Sequence, residues 1–232
     1  MTAQQLQPAK AIATERKPPF PGESPEYSDA REALLAEEVE FRRHMTRLVE
    51  QRRSLPPGPI IEKNYRFLDA DGQNLGLVDL FDGKETLVTY FWMYGPERER
   101  PCPMCTNWLG GVDGNGRDIE QRVSLKILGR SPVERQLAFA LERGWENLSF
   151  LQAVGDDYAN DLGLINSDGT ENPALVVYRQ VGDKVRLFWS AEMPNADPGQ
   201  DPRLAPDIAP LWSILDLTPE GRGTDWYPKL EY

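Results

Sequence analysis

Apolar positions along this chain follow two different rhythms. Between 28 and 53, Leu34, Phe41, Met45 and Leu48 recur at helical spacing while charged residues fill the remaining positions. That pattern predicts a long amphipathic helix. Asp29, with Glu32 three residues on, reads as a capping-box start, and Ser54-Leu55-Pro56-Pro57-Gly58-Pro59 ends the helix firmly. Residues 1–27 mix Pro, Gln, Lys and Glu with few large aliphatics and read as a flexible arm.

Past the proline-rich break the rhythm becomes that of strands and turns. Short strands are expected at 65–68 and 77–81, joined by Asp69-Ala70-Asp71-Gly72, with Asp82-Gly83 making the next turn. Leu87-Val88-Thr89-Tyr90-Phe91-Trp92-Met93 is apolar without alternation, the mark of a central strand buried on both faces. Strands at 123–128 and 148–154 flank a helix opened by Ser131-Pro132 and running to about residue 143, and a short helix at 156–162 stops at Gly163. Segments 174–178 and 185–189 form a hairpin through Val181-Gly182-Asp183; a Pro-, Asp- and Gly-rich loop over 193–206 and a helix over 206–217 follow. The sum is an α/β fold, a mixed sheet flanked by helices with an N-terminal helical extension. Its divisions are an arm at 1–27, the extension at 28–58 and the main domain at 59–232.

Composition narrows the function. With 37 acidic against 26 basic residues the net charge is -11, so no broad field attracts phosphate backbones or anionic lipid, and neither nucleic acid nor membrane is expected as a partner. No stretch reaches the length of a membrane span, and the N-terminus lacks the apolar core of a secretory signal, which points to the cytoplasm. One His and two Cys cannot furnish a four-ligand zinc site, and no metal is expected. His44 reads as a solvated helix residue, and Gly110, Gly111, Gly114 and Gly116 match no phosphate-binding fingerprint.

The informative economy is that both cysteines fall in one Cys-x-x-Cys, Cys102 and Cys105, just after the central strand. If Cys105 lies in the first turn of a helix and Cys102 at its start, both sulfurs come within bonding distance. Cys102 then faces unpaired N–H groups and the positive end of the helix dipole, which favour the thiolate. Trp108, Leu109 and Val112 follow Cys105 at i+3, i+4 and i+7, placing Cys105 on the buried helix face and leaving Cys102 exposed. Cys102 is thus the expected nucleophile and Cys105 the resolving thiol, a chemistry that needs no bound cofactor. Arg98 and Arg100 are placed to stabilise a thiolate, but Glu97 and Glu99 alternate with them and offset their charge, so neither is assigned that role. Trp92 and Trp108 bracket the motif as candidates for a substrate groove or for the core.

These residues resemble the thioredoxin fold, in which a cis-proline preceding a strand packs against a Cys-x-x-Cys. The matching elements are the strand, the loop, Cys102-Pro103-Met104-Cys105 and its helix, then Asn172-Pro173 leading into Ala174-Leu175-Val176-Val177-Tyr178. The resemblance implies that Pro173 is that proline and that the backbone beside it positions a substrate. More closely, Arg52-Arg53-Ser54-Leu55-Pro56, Tyr65-Arg66-Phe67, Asp79-Leu80-Phe81-Asp82-Gly83-Lys84, Tyr90-Phe91-Trp92-Met93-Tyr94 and Leu215-Asp216-Leu217-Thr218-Pro219-Glu220-Gly221-Arg222-Gly223 are similar to a bacterial family of thioredoxin-like proteins described as predicted dithiol-disulfide oxidoreductases. The implied partner is a protein or small-molecule disulfide, and the amphipathic helix leaves room for a homodimer.

Two departures stand out. Pro101 precedes Cys102 where thioredoxin has Trp, and strand 87–93 holds no carboxylate to assist proton transfer, so no residue is assigned to proton handling. Gly110 and Gly111 are expected to end or kink the helix after Cys105. Two alternatives accompany the oxidoreductase reading. One is a non-catalytic binding protein on the same fold. The other is a peroxiredoxin-like peroxidase, whose pattern of Thr or Ser three residues before the reactive Cys and Pro seven before fits neither cysteine: those positions hold Glu99 and Gly95 for Cys102, and Cys102 and Arg98 for Cys105.

Overall fold

A computed structural model of the protein describes residues 6–15, 18–191, 210–215, 217–219 and 227–232. It divides into two units, Met1–Pro56 and Pro57–Tyr232. The first contains helix α1 (Ala9–Thr14) and helix α2 (Pro25–Arg53). The long helix starts earlier than its apolar rhythm indicates. Ser24 is the N-cap, its hydroxyl accepting the Tyr27 amide at 3.2 Å, and Pro25 takes the first turn, where its missing N–H is no loss. The stretch read as a flexible arm therefore carries a helix, α1, whose Ala13 is fully buried and which packs on α2. Leu34, Phe41 and Met45 of α2 are exposed, as is His44.

The second unit is built on one seven-stranded sheet in the order β2-β1-β5-β4-β3-β6-β7. Its strands are β1 (Arg66–Leu68), β2 (Asn74–Gly76), β3 (Thr86–Phe91), β4 (Ser124–Gly129), β5 (Ser149–Ala153), β6 (Ala174–Val181) and β7 (Lys184–Ser190). Central β3 pairs parallel with β4 and antiparallel with β6, with Tyr90 opposite Ile127 on one side and Leu175 on the other. This is the expected thioredoxin-like mixed sheet, with helices α3 (Pro103–Asp113), α4 (Gly116–Glu120), α5 (Val133–Arg143) and α6 (Asp157–Asp161) joining its strands. Among the described residues the last helix is α7 (Pro210–Leu215); the loop read at 193–206 lies outside them.

Alternation along β3 divides the core. Leu87 and Phe91 enter a cluster with Phe67, Leu80, Tyr158, Val176 and Tyr178, whereas Tyr90 and Trp92 enter one with Cys105, Leu109, Ile127, Phe139 and Phe150. Successive side chains of a strand point to opposite faces, so covering both faces requires a strand apolar throughout. On the first face Thr89, Tyr158 and Tyr178 join their hydroxyls, at 3.1 Å between Thr89 and Tyr158 and 3.0 Å from Tyr178 to Tyr158, which keeps three polar groups satisfied inside an apolar layer. Burial raises the Tyr158 hydroxyl's pKa to about 12, keeping it neutral and free to take part.

Two local expectations differ from the structure. In place of a strand over 77–81, the chain pairs at β2 and then turns through a 3-10 segment, Asp79–Phe81. The Asp79 carboxylate accepts the Gly76 amide at 2.7 Å and pulls the chain into that turn, which drives adjacent Leu80 and Phe81 both into the core. Helix α3 passes through Gly110 and Gly111 to Asp113. Two helical glycines cost about 2 kcal/mol relative to Ala. Burial of Leu109 and Val112 to 0% and 4% exposure offsets that loss.

Candidate functional site

The dithiol lies where β3 hands over to α3. Cys102 is the N-cap of α3 in an extended conformation, Pro103 fills the first helical position and Cys105 lies within the first turn. The Cys102 amide donates to the Met93 carbonyl at 3.1 Å, tying the helix start to the strand end, and the Thr106 amide and hydroxyl both donate to the Cys102 carbonyl at 3.0 Å. Both cysteines are free thiols. Cys105 is buried, as its helical face requires; Cys102 is half-buried rather than fully exposed.

The surroundings push the two thiols in opposite directions. A hydrogen bond from the Cys105 thiol, followed by the amides of Cys105 and Met104 and the charge of Arg98, lowers Cys102 to about 6 against the opposing effect of burial. Cys102 makes no side-chain capping hydrogen bond in the structure, so the amides act on it through their direction at the helix start. Cys105 moves well above the ordinary thiol value because it would share its site with that charge and because it is buried. The opposite shifts favour a thiolate at Cys102 over one at Cys105, the division of labour expected of an attacking and a resolving cysteine.

A framework holds the loop between β3 and α3. The Gly95 amide donates to Glu171 Oε2 at 2.9 Å, Ser131 Oγ donates to the Gly95 carbonyl at 3.1 Å, and the Ser131 amide donates to the Tyr94 carbonyl at 2.9 Å. Arg135 reaches the carbonyls of Arg98 and Glu99 while its guanidinium lies 4.7 Å from the centre of the Tyr94 ring. Glu171 is 3% exposed and stands between Arg98 at 3.6 Å and Arg130 at 3.5 Å. A Cβ on residue 95 would come within 2.2 Å of that carboxylate, so a larger residue there would have to displace the Glu171 side chain. Burial still raises the pKa of Glu171 despite both arginines. Of the two arginines near the motif, Arg98 faces the site, whereas Arg100 turns away to form a forked pair with Glu142.

Cys102, Cys105 and Trp108 gather in one cluster on one face of the sheet. Trp108 is half-buried and stacks on Tyr90 with ring centres 4.1 Å apart. Trp92 is not a groove residue. It is fully buried, with its indole N–H donating to Gln136 Oε1 at 3.0 Å, so no substrate can reach it. Pro173 is half-buried, one residue before β6, whose first residue Ala174 lies opposite Phe91 of β3. Two residues of this region, Tyr90 and Glu171, escaped the sequence reading, and a third, Arg98, was weighed there and set aside. Tyr90 carries a weak signal, since it shares its strand face with Trp92 two residues on. Arg98 was masked by alternating charges, and Glu171 by being one carboxylate among 37 acidic residues. Among the described residues no group of three or more His, Cys, Asp or Glu is arranged to hold a metal ion, and no helix is long and apolar enough to cross a membrane.

Comparison with solved structures finds remote likenesses. A hypothetical protein from Sinorhizobium meliloti 1021 is 18% identical, with 75% of this chain and 91% of that one covered at a TM-score of 0.44. Peroxidoxin BcpB from Mycobacterium tuberculosis is 19% identical, with 59% and 88% covered at 0.42. The lipoprotein thioredoxin Etrx1 from Streptococcus pneumoniae is 14% identical, with 54% and 87% covered at 0.39. No curated protein matches. A family model does: it spans residues 17–232, and the chain belongs to DUF899, a family of bacterial proteins of unknown function.

Proposed function

We propose that this protein is a thiol-disulfide oxidoreductase. The observation that carries the reading is the asymmetry of the dithiol: a Cys102 thiolate favoured at a helix N-terminus beside a buried, protonated Cys105. The Cys102 thiolate attacks one sulfur of a substrate disulfide, forming a mixed disulfide and releasing the first substrate thiol. Cys105 then attacks the Cys102 sulfur. The second substrate sulfur leaves as a thiolate and takes up the proton lost by Cys105, and the protein is left with a Cys102–Cys105 disulfide. One disulfide is reduced and one dithiol oxidised, so a thiol donor must restore the pair before the next turnover. Trp108, half-buried beside the motif, and Pro173 at the start of β6 are assigned to positioning the substrate.

The test is covalent trapping. Cys105→Ser leaves the mixed disulfide unresolved, so incubation with an oxidised peptide is expected to accumulate a one-to-one adduct on Cys102 that dithiothreitol releases. Absence of that adduct, while Cys102 of the same variant is readily alkylated, refutes the proposal.

A further inference from the structure

Helix α2 carries an apolar pattern that its own unit does not use. Tyr27, Leu34, Phe41 and Leu48 recur every seven residues, close to two turns of an α-helix, and Met45 stands one turn beyond Phe41. They form one stripe along the helix. Tyr27, Leu34 and Phe41 are 56%, 59% and 65% exposed. The opposite side of α2 is the occupied one: Val39 is buried there, and Arg43, one turn on, donates to the Gln7 carbonyl just before α1. A continuous stripe of aromatic and aliphatic side chains facing water marks a contact surface.

The charges along α2 identify what that surface fits. Residues 25–40 hold six acidic side chains and one basic, whereas residues 41–53 hold five basic and one acidic. The helix macrodipole favours such an order only within the first and last turns, so it does not account for Glu37, Glu38, Arg42 and Arg47 in the middle. A helix with an acidic half and a basic half is complementary to a second copy of itself running the opposite way. A parallel copy would set like charges together along the whole length, and a polyanion would suit one half and be repelled by the other.

We propose that this face of α2 is the interface of a homodimer, two copies of the helix packing antiparallel about a twofold axis. Such a contact is self-complementary, each residue meeting its counterpart's partner on the other copy. One register satisfies the whole stripe. When facing positions add up to 75, Tyr27 meets Leu48, Ala30 meets Met45 and Leu34 meets Phe41, each of them twice. The axis then passes between Glu37 and Glu38, whose like charges are the electrostatic cost at the centre of the interface. Neither cysteine takes part, so the interface stands apart from the oxidoreductase reading.

Sedimentation equilibrium of the full chain is expected to give twice the 26.3 kDa of one protomer. Leu34→Glu/Phe41→Glu places a good helix former at two exposed positions. It should weaken the dimer about a hundredfold or more with circular dichroism unchanged, and Glu38→Gln should tighten it. A wild type that stays monomeric at about 0.1 mM overturns the proposal, whether the stripe is covered by the rest of its own chain or left for another protein. A dimer indifferent to the double change overturns it equally. Orientation is read in the Cys102→Ser/Cys105→Ser background, which removes the native thiols. There Glu38→Cys, beside the axis, should form an intermolecular disulfide on mild oxidation. Tyr27→Cys should not, because its two copies lie about 31 Å apart, until it is mixed with Leu48→Cys. Cross-linking of Tyr27→Cys alone means a parallel pair and refutes the antiparallel interface.

Discussion

Removing Cys105 removes the strongest influence that favours a charged Cys102, and the consequence can be sized. With Cys102 lowered to about 6, roughly nine-tenths of it is thiolate at pH 7, against about one-hundredth for a thiol at the reference value of 9.0. The Cys105 thiol is the first of the causes, ahead of the amides of Cys105 and Met104 and of Arg98. A hydrogen bond to a charged acceptor is worth about 1.5–3 kcal/mol, which at about 1.4 kcal/mol per pKa unit is roughly one to two units. Cys105→Ala is therefore expected to move Cys102 to between about 7 and 8, the helix amides and Arg98 holding it below the reference. The assay is iodoacetamide alkylation followed by mass spectrometry across pH 4–10. Wild type should reach its plateau by about pH 7, and the variant about one to two units later. Two results would refute the reasoning: a wild-type midpoint at 8.5 or above, or a variant midpoint coincident with wild type.

Three further outcomes follow from the same structure. The reduction potential of the pair should fall by about 59 mV per pH unit below pH 6 and by about 30 mV above it, because only one proton accompanies two electrons once Cys102 is ionised; equilibration against glutathione buffers checks this, and an unbroken 59 mV slope to pH 8 contradicts it. For Glu171 the folded-state value lies above the ordinary 4.5, so the stability gained by protonating it is complete below that value and lost as pH rises through the raised one. Urea unfolding of Glu171→Gln, neutral throughout, should accordingly improve relative to wild type between pH 4.5 and 7.5, and an unchanged difference would be evidence against a buried charge. Tyr158→Phe leaves the Thr89 and Tyr178 hydroxyls without their shared partner in the core and should lower stability by about 1–3 kcal/mol; a loss under 0.5 kcal/mol would mean that the two hydroxyls find each other.

What the residues disclosed before folding depended on how local each determinant is. The run 87–93, the Cys-x-x-Cys after it and the alternation of strands with helices are local, and β3, α3 and the sheet formed where they indicated. The turn after β2 was misread because a single carboxylate, Asp79, redirects the chain through a contact with Gly76 that apolar rhythm does not encode. Gly110 and Gly111 were expected to break α3, an expectation that propensity alone supports and burial of Leu109 and Val112 overrides. At the site, the identity of the two thiols was legible and their support was not. Glu171 acts on Gly95 across 76 residues, a contact that exists only after strands have paired and leaves no periodic trace, whereas Arg98, in the loop just before Cys102, was noted and set aside because Glu97 and Glu99 alternate with it.

Gln136 carries one more implication. Fully buried on α5, it accepts the Trp92 indole and donates to the carbonyls of Ser131 and Leu151 at 2.8 and 3.2 Å. An oily core is indifferent to a helix sliding one turn along a sheet, since leucines and phenylalanines re-pack with modest loss. An amide with three fixed correspondents is not indifferent, because every slipped arrangement strands polar atoms in a dry interior. Gln136 thus works as a key in a lock between α5, β3 and β5: it selects one docking of that helix, and through Arg135, its neighbour, that docking sets the path of the segment that delivers Cys102.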